Sequence, residues 1–195
     1  MAAVVALFLI VWLWMALRTY KSFDVKNSVE QKDKSAVSFV DFCGAVVEYS
    51  NDGVLYTASD GNRIWNQAFE MSSPQVVTCE SFMTIYDRGG TDLYIMDKNG
   101  VKKEIGTSWP IIKACIASQG TVAVLVSENE NYYVKLYDVN GKELASGEFF
   151  GEQKNIPVDI ALSYDAKKLA VDMIDVSGGT VSYTHLRAHE TSLHL

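Results

Sequence analysis

Cys43, Cys79 and Cys115 stand 36 residues apart, and their thiols are the first groups in this chain to consider for chemistry. A metal cluster needs ligands in close pairs such as Cys-x2-Cys, and no such pair occurs. Three cysteines are an odd count for a disulfide framework. That count neither proves an oxidising compartment nor excludes an exterior location. The other reading is that they recur as small buried apolar residues at equivalent positions of a repeat. The second cluster is His185, His189 and Glu190, metal-ligand types at helical spacing. All three histidines lie in that C-terminal stretch, so the rest of the chain offers no Ser-His or Cys-His nucleophile pair. Asp159 with Asp165, and Asp172 with Asp175, are carboxylate pairs that read as solvated acids on turns and strand faces. Asp97-Lys98-Asn99-Gly100 starts like a calcium loop, but its twelfth place is Ser108, where a bidentate glutamate is required. Gly89-Gly90 and Gly178-Gly179 lack the strand–loop–helix setting that phosphate binding needs. The sequence therefore assigns no catalytic residue, no metal ligand and no cofactor-binding residue, and the chain reads as non-enzymatic. Trp65, Tyr94, Tyr132, Tyr133, Tyr137, Phe149 and Phe150 are numerous enough to line a ligand groove. Aromatics at period two more often pack one sheet on the next.

The elements that must position these residues are announced by an internal repeat. Pro74, Pro110 and Pro157 each open an apolar segment, with Cys79, Cys115 or Leu162 five places on. Asp60-Gly61, Asn99-Gly100 and Asn140-Gly141 precede them as turn dipeptides, and Leu55-Tyr56, Leu93-Tyr94 and Leu136-Tyr137 precede those. A period near 40 residues with strand alternation and turns fits a blade of four antiparallel strands. The third unit reads as strands over 111–117, 121–127, 132–138 and 142–150. The second reads as 74–79, 82–87, 92–97 and 101–105. The first is irregular over 36–49, and the fourth runs as 158–163 and 168–176. Asx-Gly supplies the positive φ values that a type I′ hairpin turn demands. Proline cannot donate to a ladder and belongs at a strand's first residue. The predicted fold is all-β, a partial β-propeller of about three and a half four-stranded blades. A β-sandwich shares the turn spacing but not the repeated order of motifs.

Both ends read differently. Residues 1–17 carry no charge, glycine or proline, and Trp12 and Trp14 lie beside Arg18, Tyr20 and Lys21. As a helix they span about 26 Å, just enough for a hydrocarbon core. A single transmembrane anchor is the reading taken; a cleaved signal peptide and a buried core helix are the alternatives. Arg18, Lys21 and Lys26 all follow the segment, which conflicts with an exterior C-terminal side unless basic residues precede Met1. Residues 18–35 form a polar linker, and 36–180 the truncated propeller domain. Residues 181–195 resemble a translated adapter sequence that recurs as a false C-terminus in metagenomic data. They read as a non-native tail, with the natural protein continuing beyond Thr180.

With 17 basic and 24 acidic residues, a net charge of −7 and no basic stripe, nucleic acid is excluded as a partner. The N-terminal anchor, Ile64-Trp65, Met71…Pro74, Leu93-Tyr94…Asn99-Gly100, Pro110-Ile111, Leu136-Tyr137-Asp138…Gly141 and Pro157-Val158-Asp159-Ile160-Ala161-Leu162-Ser163 together resemble the DUF5711 family. These are uncharacterised, membrane-anchored, propeller-like proteins of Gram-positive bacteria. The resemblance implies an extracytoplasmic propeller on a single-pass membrane anchor at the cell surface, and it brings no functional residues. The expected function is a non-catalytic binding or scaffold module with a protein or cell-envelope ligand. The alternative is a fragment of a propeller enzyme or cofactor-dependent protein whose catalytic residues lie in further blades.

Overall fold

The computed structural model describes residues 7–8, 11–15, 17, 37–150, 155–175 and 191–192. The chain divides into two compact units, Met1–Lys32 and Asp33–Leu195. In the first, residues 7–8 and 11–15 are helical, and Leu7, Phe8, Trp12 and Trp14 are exposed. Among the described residues no helix is long and apolar enough to cross a membrane.

The second unit is built from antiparallel hairpins. β1 (Ser38–Phe42), β2 (Ala45–Ser50), β3 (Gly53–Thr57) and β4 (Arg63–Ala68) form the first sheet in sequence order. β5 (Pro74–Cys79), β6 (Phe82–Asp87), β7 (Asp92–Asp97) and β8 (Gly100–Gly106) form the second. β9 (Ile111–Ile116), β10 (Val122–Glu128), β11 (Asn131–Tyr137) and β12 (Glu143–Phe150) form the third. β13 (Asn155–Leu162), β14 (Lys168–Asp175) and the two-residue β15 (Thr191–Ser192) form the fourth. The sequence units are thus three four-stranded blades and a fourth sheet with three described strands. Thr191–Ser192, inside the stretch read as non-native, takes the third-strand place beside Lys168 and Leu169. The stretch around Gly178-Gly179 lies outside the described residues.

Blade 1 is as regular as the others, although its start shows no turn signal. Cys43 (φ 51°) and Gly44 (φ 76°) make the β1–β2 turn. A cysteine in the left-handed region replaces the usual asparagine, so the hairpin is hidden in the sequence. Glu80 (φ 53°) does the same between β5 and β6. Pro74 is the first residue of its strand and Pro110 directly precedes β9. Pro157 is instead the third residue of β13, where the register with β14 shifts between Pro157 and Asp159. A bulge there spares the ladder the donor that proline lacks.

Apolar residues of alternate parity face the two neighbouring blades, so the core is three slabs between successive sheets. Phe42, Val47, Val54 and Tyr56 of blade 1 meet Met83, Ile85, Tyr94 and Met96 of blade 2. Tyr86, Leu93 and Ile95 of blade 2 meet Val122, Val124, Val126 and Tyr137 of blade 3. Ala123, Leu125, Val134 and Leu136 of blade 3 meet Ile160, Leu169 and Val171 of blade 4. These slabs correct the repeat at residue level. In blades 2 and 3 the Leu of Leu-Tyr faces the following blade and the Tyr the preceding one. In blade 1 Tyr56 faces forward and Leu55 lies on the opposite face, because a slip of one residue exchanges faces.

The three cysteines are not equivalent either. Cys79 and Cys115 both pack forward, but Cys43 is an exposed turn residue, and Phe42 holds the place that matches Cys79. Leu162, read as the fourth member, packs back on blade 3, since the bulge at Pro157 shifts its parity.

Polar links join the blades near the hairpin ends. The Cys43 thiol donates to the Glu80 carbonyl at 3.1 Å. Ser118 donates through its hydroxyl to the Tyr164 carbonyl at 2.9 Å, and Gln119 Nε2 to the Asp165 carbonyl at 3.1 Å. Trp65 Nε1 donates to the Lys98 carbonyl at 3.0 Å. At the other end of the sheets, the buried Asp87 carboxylate accepts the backbone N–H groups of Ser72 and Ser73 at 3.1 and 2.7 Å.

Candidate functional site

Cys79, Cys115, Asp97, Asp159 and Asp165 have structural roles. Cys115 is enclosed between blades 3 and 4, and burial pushes its thiol up to about 12, so it stays protonated and unreactive at neutral pH. Burial also raises Cys79, with Glu80 adding to the effect. Asp159 pairs with Lys113 at 3.2 Å, while Asp165 caps the β13–β14 turn, accepting from Ser163 Oγ at 2.8 Å. Asp159 stands mid-strand opposite Asp172 and Asp165 in the turn, so the two carboxylates do not form a pair. Asp172 and Asp175 are three apart on β14 and fall on opposite faces. Asp97 bonds the N–H of Asn99 at 2.7 Å and pairs with Lys102 at 2.9 Å. That is an Asx turn, with the carboxylate spent on its own hairpin.

Among the described residues no group of three or more His, Cys, Asp or Glu is placed to hold a metal. His185, His189 and Glu190 lie outside the described residues. The Gly89-Gly90 turn cannot cradle an anion with its own amides. Gly89 N–H donates to the Ile111 carbonyl at 2.8 Å and Gly90 N–H to the Asp87 carbonyl at 3.1 Å. A Cβ on Gly90 would meet the Asp87 side chain, so glycine is there for close approach.

Six of the seven aromatics read from the sequence belong to the slabs between blades. Trp65 and Tyr94 sit with the first slab, Tyr133 and Tyr137 with the second, and Tyr132 and Phe149 with the third. Trp65 packs on Tyr56 with centroids 5.2 Å apart, and Tyr94 stacks on Phe69 at 5.8 Å. The Phe150 side chain is outside the described residues. Packing between blades is therefore their principal use.

One further aromatic pair rests on the slab between blades 2 and 3. Trp109 lies in the β8–β9 loop and stacks on Tyr133 of β11, with centroids 4.5 Å apart and planes 15° apart. Lys135, two residues along the same strand face, places Nζ 5.5 Å from the Trp109 ring centroid. Lys135 also pairs with Glu143 at 3.3 Å. The Tyr133 hydroxyl donates to Glu128 Oε2 at 3.4 Å. Its pKa is raised by desolvation, and by Glu148 and Glu128 beside it.

The loop beneath is pinned on both sides of the tryptophan. The buried Thr107 takes its N–H to the Thr91 carbonyl at 2.8 Å, and its hydroxyl lies 2.8 Å from the Trp109 carbonyl. The Pro110 carbonyl accepts the Ser127 N–H at 3.1 Å, and Ile111 N–H donates to the Gly90 carbonyl at 2.7 Å. The result is a partly buried, pre-positioned shelf of two stacked rings against the slab between blades 2 and 3, with a lysine and carboxylates at its rim. Trp109 is absent from the aromatic set read from the sequence. Its signal was a tryptophan placed directly before a blade-opening proline.

The fold matches solved propellers. Kluyveromyces lactis Hsv2 superposes with a TM-score of 0.53 at 15% identity, over 72% of this chain and 46% of that one. The WD40 domain of Toxoplasma gondii coronin gives 0.51 at 13%, over 79% and 45%. BamB from Moraxella catarrhalis gives 0.51 at 8%, over 69% and 39%. At these identities the likeness shows the fold alone. The chain spans about half the length of the solved propellers that it matches. No curated protein matches the sequence. The blade architecture found here and the match of residues 16–184 to DUF5711, a family of unknown function, lead to one statement: the chain belongs to that family.

Proposed function

We propose that this chain is a non-catalytic binding or scaffold module, held at the cell membrane by residues 1–17 with its propeller domain on the extracytoplasmic side. The observation that carries the binding reading is the Trp109–Tyr133 shelf, fixed by hydrogen bonds on a rigid frame of blades. A propeller offers many loops on one scaffold, and binding resides in such loops. The membrane reading is supported by the uncharged first seventeen residues and their tryptophans beside basic residues. The partner is a protein or another cell-envelope component.

Two measurements test this. Full-length chain immobilised on beads is challenged with a solubilised cell-envelope extract, wild type against Trp109→Ala. Removing an aromatic hot spot weakens retention of the bound component by roughly tenfold or more. Equal retention by both proteins overturns the shelf as the binding surface. In membrane fractionation, the chain stays with the membrane through a high-salt wash, and deletion of residues 1–17 releases it. Release of the intact chain by salt ends the anchor reading. The alternative is a fragment of a propeller enzyme or cofactor-dependent protein whose catalytic residues lie in further blades. Histidines or paired carboxylates converging on the channel side of further blades, in a longer reading frame, would decide for it.

A further inference from the structure

Two Asn-Gly hairpin turns, equivalent in blades 2 and 3, sit in different surroundings. Asn99-Gly100 joins β7 to β8 and Asn140-Gly141 joins β11 to β12, and both asparagines are exposed. In each turn the glycine takes the positive φ, 115° at Gly100 and 79° at Gly141, and the asparagine does not. Neither is therefore the type I′ turn that the dipeptide suggests. An Asn-Gly pair can react with itself, because glycine has no side chain to shield its amide nitrogen. That nitrogen attacks Cγ of the asparagine. A new N–C bond forms, the bond from Cγ to the side-chain nitrogen breaks, and the displaced proton leaves with it as ammonia. Water then opens the five-membered imide at either carbonyl and leaves aspartate or isoaspartate.

The fold clamps and covers one of these pairs and leaves the other uncovered. At Gly141 the attacking N–H is held by the Asp138 carbonyl at 2.9 Å. The Asp138 carboxylate holds the N–H groups on either side, of Asn140 at 2.9 Å and of Lys142 at 2.8 Å. Lys103 of blade 2 lies against the turn, because a Cβ on Gly141 would stand 2.8 Å from its Cγ and Cε. Gly100 pairs with Asp97 at the end of the ladder, and a Cβ there would meet nothing within 4 Å, its two chain neighbours aside. Blade 1 touches that turn one residue before Asn99, where the Lys98 carbonyl accepts Trp65 Nε1 at 3.0 Å. The Asn99 side chain donates to Asp97 Oδ2 only at 3.3 Å, and Lys102 shares that oxygen at 2.9 Å. We propose that Asn99 is a site of spontaneous modification in the folded chain, converting to aspartate and isoaspartate while Asn140 is protected. The product sets a second carboxylate beside Asp97 and loses the Asn99 bond to it. Isoaspartate also inserts a carbon into the backbone between β7 and β8, next to the carbonyl that Trp65 bonds.

The test is peptide mapping by mass spectrometry of the full-length chain, aged in mildly alkaline buffer with mild detergent, and isoaspartate counted by enzymatic methylation. In the folded chain, conversion at Asn99 is expected to run several times faster than at Asn140. In urea, where both turns are open, the two are expected to convert alike, since each is an Asn-Gly pair. Lys103→Ala, with its melting compared with the wild type, is expected to raise conversion at Asn140 and leave Asn99 as it was. Equal conversion at the two sites in the folded chain, a lead for Asn140, or an unreactive Asn99 overturns the proposal. A lead for Asn99 that persists in urea overturns it too, since the cause is then the local sequence and not the fold. An Asn140 unmoved by Lys103→Ala, in a variant that melts like the wild type, removes the cover on which the protection rests.

Discussion

At the scale of single residues, Asp60, Asp97, Asp138 and Asp165 each hold a turn through their carboxylates. Asp138 accepts the N–H of Lys142 at 2.8 Å and of Asn140 at 2.9 Å, and the Lys142 bond leads in holding its carboxyl below the usual range. Asp60 is held down by the N–H of Asn62, and Asp165 by the Ser163 hydroxyl. For Asp97 desolvation pushes upwards, but the hydrogen bond from Lys102 and the N–H of Asn99 prevail. These groups stabilise the fold above the unfolded carboxylate value of about 4, and that stability is lost as pH falls below it. The opposite edge is set by Cys115, Tyr86 and Tyr137, all raised mainly by burial. The unfolded chain ionises its thiols and phenols first, so their contribution is lost as pH climbs above about 9. A thermal melting series should therefore show a plateau through neutral pH that falls on both sides. A melting temperature still rising between about pH 9 and 11 would contradict this account.

At the scale of strands and turns, much was legible and the misses have physical causes. Strands 74–79, 82–87 and 92–97 were readable to the residue, because alternation and Asn99-Gly100 punctuate them. The Cys43-Gly44 turn was not readable, because its first residue is one that rarely adopts positive φ. The Leu-Tyr echo in blade 1 was misleading, because sequence comparison does not see which face a one-residue slip selects. Trp109 was missed because its value lies in the pinned loop beneath it and in Tyr133, 24 positions away in sequence. Strand pairing also decides which glycines matter. A Cβ on Gly53 would lie 2.6 Å from the Gln67 carbonyl oxygen of the neighbouring strand, whereas one on Gly106 meets nothing within 4 Å. Gly53→Ala is expected to cost about 1–3 kcal/mol in urea unfolding, as overpacking does. Gly106→Ala is expected to be neutral or stabilising by up to about 1 kcal/mol. Equal effects of the two would show that the β3–β4 pairing is looser than described.

At the scale of the whole propeller unit, burial is greatest in the middle strands. β6, β7 and β10 hold runs of buried residues on both faces, while β8 exposes Val101, Lys102, Lys103 and Glu104 in succession. Consecutive charges on an outer strand discourage unwanted pairing there. Amide hydrogen exchange should be slowest in β6, β7 and β10 and fastest in β4 and β8, since local opening follows contact density. Faster exchange in β10 than in β8 would contradict the slab arrangement.

The links between hairpin ends, Cys43 to Glu80 and Ser118 to Tyr164, each span only one junction. A chain joined that way behaves as a row of nearest-neighbour couplings, in which a defect weakens the two blades it separates and is not passed along. Blades could then be gained or lost at the ends of the row, over generations, without redesign of those between.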